Sequence, residues 1–66
     1  NIEIMYRLSG SLFIANRDLE ATSLLREALS IDIDKVEILK QNYSIIYNRE
    51  IVQDMIFNQK HNGRFL

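Results

Sequence analysis

No proline interrupts this chain and only two glycines do, Gly10 and Gly63, so very little in it breaks a helix by backbone geometry. Leu, Ile, Ala, Glu, Arg and Gln are abundant, and together these features predict an all-α protein. Asn and Asp must then mark the turns. Four helices are expected, at roughly 3–15, 18–31, 35–47 and 49–60, arranged as two antiparallel helical hairpins. Asn16-Arg17-Asp18 separates the first two: Asn tolerates the left-handed conformation that ends a helix, and Asp18 is placed to cap the next. In the second break, Asp34-Lys35-Val36-Glu37 has capping-box spacing. The third, near Asn48, carries the weakest signal, because Tyr47-Asn48-Arg49-Glu50 also reads as the middle of one long helix. Asn62-Gly63 is the expected stop before a short tail.

The helices differ in how their apolar residues are arranged. In the second, Ala21, Leu24, Leu25, Ala28 and Leu29 form one clean stripe, with Ser23, Arg26, Glu27 and Ser30 outward. In the fourth, Ile51, Val52, Met55 and Ile56 do so more loosely. The first helix has two apolar faces at ~100° per residue: Ile4, Met5, Leu8, Leu12 and Ala15 on one, Tyr6 and Phe13 nearly opposite. The third repeats this pattern, with Val36, Leu39, Tyr43, Ile46 and Tyr47 on the main face and Ile38 and Ile45 opposite. Surplus apolar faces on helices one and three are the most informative feature of the sequence.

Length allows one domain, spanning 1–66, and a chain this short buries only about 60% of its unfolded surface. An apolar fraction of 47% with 26% charged residues marks a folding sequence. The absence of Cys excludes a disulfide framework, a thiolate nucleophile and a Cys-ligated zinc. A net charge of −1 gives no global pull toward nucleic acid or anionic lipid. No apolar run is long enough to span a membrane or form a signal-peptide core, and the expected location is the cytoplasm. A chain that starts at Asn1 reads as a trimmed protein or the ordered part of a longer one.

The series Met5, Leu8-Ser9, Leu12, Ala21, Leu25, Ala28 and Ile33 resembles one tetratricopeptide repeat in its spacing. Met5 stands where that family has Trp, Ser9 where it has Gly, Leu12 where it has an aromatic, and Ile33 where it has Pro. Ala21 and Ala28 are small enough to let two antiparallel helices approach, with Leu25 filling the space between them. The resemblance is good over 1–33 and fades over 34–66, where Asn42-Tyr43 replaces the Leu-Gly pair in a degenerate second hairpin. What it implies is a non-catalytic binding module: a small adaptor, chaperone or regulatory subunit holding a helical or apolar segment of a partner protein. Bacterial chaperones that guard secretion-needle subunits offer the nearest analogy. In that family the first helix of each repeat lines the binding groove, which here means helices one and three. Solenoid repeats need about three units for stability. With at most two, a partner chain, self-association or a further segment is expected to complete the core.

Catalytic and ligand chemistry finds little in the residues. His61 is the only histidine and lies near the expected chain end, so no Ser-His-Asp arrangement or His-rich metal site can be assembled. Asp32 and Asp34 lack the further oxygen ligands and the Gly of a calcium loop, and capping accounts for both. Gly10 and Gly63 are isolated and make no phosphate loop; Gly10 either admits a close neighbour or merely weakens the helix. No enzyme activity, metal or cofactor is expected. The alternative function is a helix-turn-helix DNA-binding regulator, with Arg49, Gln53, Asn58, Gln59 and Lys60 on the reading helix and Arg64 beyond it. Those charges are dispersed, which disfavours it. Tyr6, Phe13, Ile38 and Ile45 either pack inside the monomer or form the centre of an interface. The interface is the expectation taken forward, Phe13 first and Ile45 second.

Overall fold

The computed structural model describes the backbone of residues 1–65 and the side chains of residues 1–61. It contains α1 (Ile2–Ile14), α2 (Asp18–Ile31), a 3₁₀ turn (Ile33–Val36), α3 (Glu37–Asn42), α4 (Ser44–Tyr47) and α5 (Glu50–Phe65), with no strand among the described residues. The fold is all-α.

The first turn forms as its residues dictate. Asn16 takes the left-handed conformation, with φ 62°. The Arg17 amide donates to the Leu12 carbonyl at 2.9 Å and the Asn16 amide to that of Phe13 at 3.0 Å, which together satisfy the end of α1 in a Schellman arrangement. Asp18, by contrast, does not cap α2. Arg17 occupies that position without a side-chain cap, and its guanidinium grips Glu20 one turn on, at 2.6 and 3.0 Å. The second break is capped two residues earlier than the capping-box spacing suggests: Asp32, in extended backbone, accepts from the Asp34 amide at 3.1 Å. The 3₁₀ turn then precedes α3.

Helix three is not continuous. Tyr43 leaves helical geometry (φ −138°, ψ 56°) and divides it into α3 and α4. The reason lies on α1. A Cβ on Gly10 would sit 2.6–2.9 Å from three ring atoms of Tyr43, so the ring rests where only glycine leaves room. Its hydroxyl and the Ser11 Oγ are 3.0 Å apart. Near Asn48 the chain breaks again, so α4 and α5 are separate, and the Gln53 side-chain amide donates to the Tyr47 carbonyl at 2.5 Å. Helix α5 then runs through the expected Asn62-Gly63 stop to Phe65.

α1 and α2 form an antiparallel hairpin, and α3 and α4 pack along another flank of α1. Ile2 faces Ile38 at one end and Ile14 faces Ile45 at the other, so this pair runs in the direction of α1. α5 returns beside α2, with Met55 and Gln59 against Arg26 and Leu29. The radius of gyration, 10.9 Å, equals the ~10.8 Å of a compact domain of this length.

The core consists of Tyr6, Phe13, Ala21, Leu25, Ala28, Leu29, Leu39, Ile46, Val52 and Ile56. The stripe of α2 is buried at Ala21, Leu25, Ala28 and Leu29, with Leu24 half-buried at its edge. On α1 the emphasis is reversed: Tyr6, Ser9, Gly10 and Phe13 face inward, Met5 and Leu12 pack partly buried against the core's edge, and Ile4 and Leu8 are 61% and 50% exposed. Two terms favour this choice. Each aromatic ring buries a large area, about 150–250 Å², from a single position, and Ser9 and Gly10 on the same stripe let neighbours come close. Polar atoms on this stripe are satisfied: Tyr6 donates to the Asp32 carbonyl and Ser9 to the Tyr6 carbonyl, each at 2.8 Å. Burial, helped by the Asp32 and Asp34 carboxylates, pushes the Tyr6 phenol well above its ordinary pKa of 10.0.

Candidate interaction surface

The four residues proposed for partner contact do not share a surface. Tyr6 and Phe13 are fully buried within the chain's own core, which corrects the expectation that they anchor an interface. Ile38 is half-buried against that core, in a shallow hollow with Asn1, Ile2 and Glu3. Ile45 alone is exposed, at 81%.

Around Ile45 the structure builds an open depression of about 430 Å³, lined by Ile14, Asn42, Tyr43, Ser44, Ile45, Ile46 and Arg49. Three features of the fold converge there. Ile14 is the last residue of α1 and is 63% exposed. Tyr43 is fixed by Gly10 and Ser11, and its backbone break turns Ile45 outward on α4. Arg49 lies between α4 and α5, its guanidinium carbon 5.9 Å from the centre of the Phe13 ring. Arg49 makes no ion pair among the described residues, and no carboxylate lines the depression.

This arrangement offers two aliphatic anchors, a rigid aromatic floor and one cation, with hydroxyl and amide groups at the edge. It can hold an apolar side chain while the guanidinium meets an acceptor beside it. Ile14 escapes a sequence reading because it falls 100° from Phe13, on neither stripe of α1.

Asp32 serves the turn that follows it. The His61 ring stacks on Phe57 with centroids 3.9 Å apart, and its Nδ1 lies 2.8 Å from the Phe57 carbonyl. No three His, Asp or Glu side chains gather as a metal site among the described residues. Of the reading-helix residues, Gln53 is spent on Tyr47, Gln59 is half-buried and Arg49 sits over Phe13. Asn58 and Lys60 are exposed, as are Arg49 and Gln53, and the Arg64 side chain lies outside the described residues. No described helix is long and apolar enough to cross a membrane.

No protein-family model, curated protein or solved structure matches this chain. The surface must be read from its own chemistry.

Proposed function

We propose that this chain is a non-catalytic protein-interaction module, a small tetratricopeptide-like adaptor or chaperone of the cytoplasm that takes an apolar segment of another polypeptide into the Ile14–Ile45 depression. The observation that carries the reading is the pairing of Ile14 and Ile45, both mostly exposed, in one depression beside an Arg49 that no described carboxylate neutralises. Exposed aliphatics gathered around a concave site mark contact surfaces more often than singly scattered ones do. Supporting the family likeness are the close α1–α2 hairpin and the burial of Ala21, Leu25 and Ala28 between its helices.

The test is affinity capture with tagged wild type and Ile45→Asp in parallel, followed by mass spectrometry of retained protein and assay of retained nucleic acid. The expected result is a protein held by wild type and lost from the variant. Equal retention by both, or recovery of nucleic acid with no protein, would overturn the reading.

A further inference from the structure

A second apolar patch lies on α2, away from the centre of its core stripe, where the exposed Leu19 joins Leu24, half-buried at the stripe's edge. Leu19, Glu20, Ser23, Leu24 and Glu27 line a shallow hollow of about 400 Å³ there. Leu19 is 87% exposed, the most exposed of the large apolar residues described, although it stands in the first turn of a well-packed helix. Arg17 already engages Glu20, whereas Glu27 makes no ion pair among the described residues.

The two patches are complementary. The depression on α1 and α4 offers two isoleucines and a cation and has no carboxylate in its lining. The hollow on α2 offers two leucines and two carboxylates and has no cation in its lining. Opposed like this, apolar side chains exclude water between them while unlike charges fix orientation and reject the reverse pairing. We propose that the occupant of the Ile14–Ile45 depression is a second copy of this chain, which seats Leu19 between the isoleucines and brings Glu27 to Arg49. This rests on the reading of the depression as an interaction surface and names its partner. Because the patches are different surfaces, the contact is heterologous. Each copy gives one patch and receives on the other, so association grows past two chains unless the rotation closes a ring.

Sedimentation equilibrium of the full chain over rising concentration tests this. Wild type is expected to climb from one chain mass, 7.8 kDa, through two and beyond. Ile45→Asp spoils the depression and Leu19→Asp spoils the hollow, so each alone stays at one chain mass. Both positions are exposed, and circular dichroism should show an unchanged thermal midpoint. Mixed in equal amounts, the two variants retain one good patch each and should form a 1:1 dimer that grows no further. Wild type fixed at one chain mass, or assemblies indifferent to both changes, would overturn the self-pairing. So would a mixture that stays monomeric. The wider reading fails separately. A foreign protein lost with Ile45→Asp but kept by Leu19→Asp, from a monomeric wild type, defeats only the self-pairing. Association that depends on Leu19 and ignores Ile45 removes the depression itself.

Discussion

Tyr6 and Phe13 on α1, and Ile38 and Ile45 across α3 and α4, are each seven residues apart, yet one pair is buried together while the other is separated. In α1 the backbone is unbroken from Ile2 to Ile14, so two turns of helix carry both aromatics onto the same line. Between Ile38 and Ile45 the chain leaves helical geometry at Tyr43, and the line is lost. Ile38 stays partly buried against the core, and Ile45 points into solvent. Spacing describes a face only where the helix is continuous. What interrupts the second helix belongs to the first: the bare Gly10 backbone on which the Tyr43 ring lies.

The largest expected effect breaks the comparison at its buried side. Phe13→Ala removes a fully buried ring and should cost about 3–5 kcal/mol. A core this small rarely supplies more than about 3–5 kcal/mol, so the variant should be unfolded by circular dichroism at room temperature. Phe13→Leu, a smaller loss, keeps the measurement on scale. A Phe13→Ala chain with a wild-type thermal midpoint would mean that the ring is not part of the core.

Gly10→Ala comes next, and its sign is informative. Helix propensity alone favours Ala over Gly by about 1 kcal/mol. Here the new methyl would lie 2.6–2.9 Å from Tyr43 ring atoms that include the one bonded to Cβ, so the tyrosine itself must move. Overpacking of this kind typically costs about 1–3 kcal/mol, so denaturant titration should show net destabilisation. In a Tyr43→Ala background the obstacle is gone, and the same Gly10→Ala change should become stabilising. A change of the same sign in both backgrounds would disconnect Gly10 from Tyr43.

That pair also explains what the sequence makes legible. The helical class follows from the missing prolines, the first turn from Asn16, and the buried stripe of α2 from the helical spacing of Ala21, Leu25, Ala28 and Leu29. On α1 two faces compete, and the winner depends on which one a distant residue fits. Tyr43 against Gly10 is a tertiary contact, and no local period announces it. The same contact decides the break that exposes Ile45, which is why the pairing of Ile38 with Ile45 follows from spacing alone and fails in three dimensions. Ile45 itself is reachable as a surface candidate, because it lies off the main face of its segment. Ile14 is not, and Arg49 is reachable only as a nucleic-acid contact, since the depression joining them to Ile45 is assembled from three separate helix ends.

A smaller effect is expected at Tyr6, where the buried hydroxyl can be removed without the ring. Tyr6→Phe leaves the Asp32 carbonyl without that donor and should cost about 0.5–1.5 kcal/mol at neutral pH. The pH dependence has a definite sign. In the folded chain the phenol's pKa is raised above 10.0, so below that pH both states are protonated and the stabilisation is complete. Above it the unfolded chain loses the proton first. Stability should then fall with rising pH, by up to about 1.4 kcal/mol per unit from this group. Tyr6→Phe should flatten that alkaline limb in urea titrations between neutral and strongly basic pH. An unchanged limb would assign the alkaline sensitivity to other groups.

The smallest effect on folding is expected at the exposed end of the comparison, and it separates stability from association. Ile45→Asp places a charge where four-fifths of the side chain already meets water, so no desolvation cost arises. Exposed substitutions of this kind fall within about 0.5 kcal/mol of wild type. Ile38→Asp, on the other side of the break and packed against Ile2 and the core, must either bury the carboxylate or pull away from its neighbours. It should therefore destabilise clearly more than Ile45→Asp does. Paired thermal melts decide the matter. Equal losses at the two positions would place Ile45 in packed surroundings and remove the break at Tyr43 as the reason that two pairs with one spacing differ. A silent Ile45 alongside a costly Ile38 leaves the outward side chain without a role in folding, so any change that Ile45→Asp brings to association belongs to the surface.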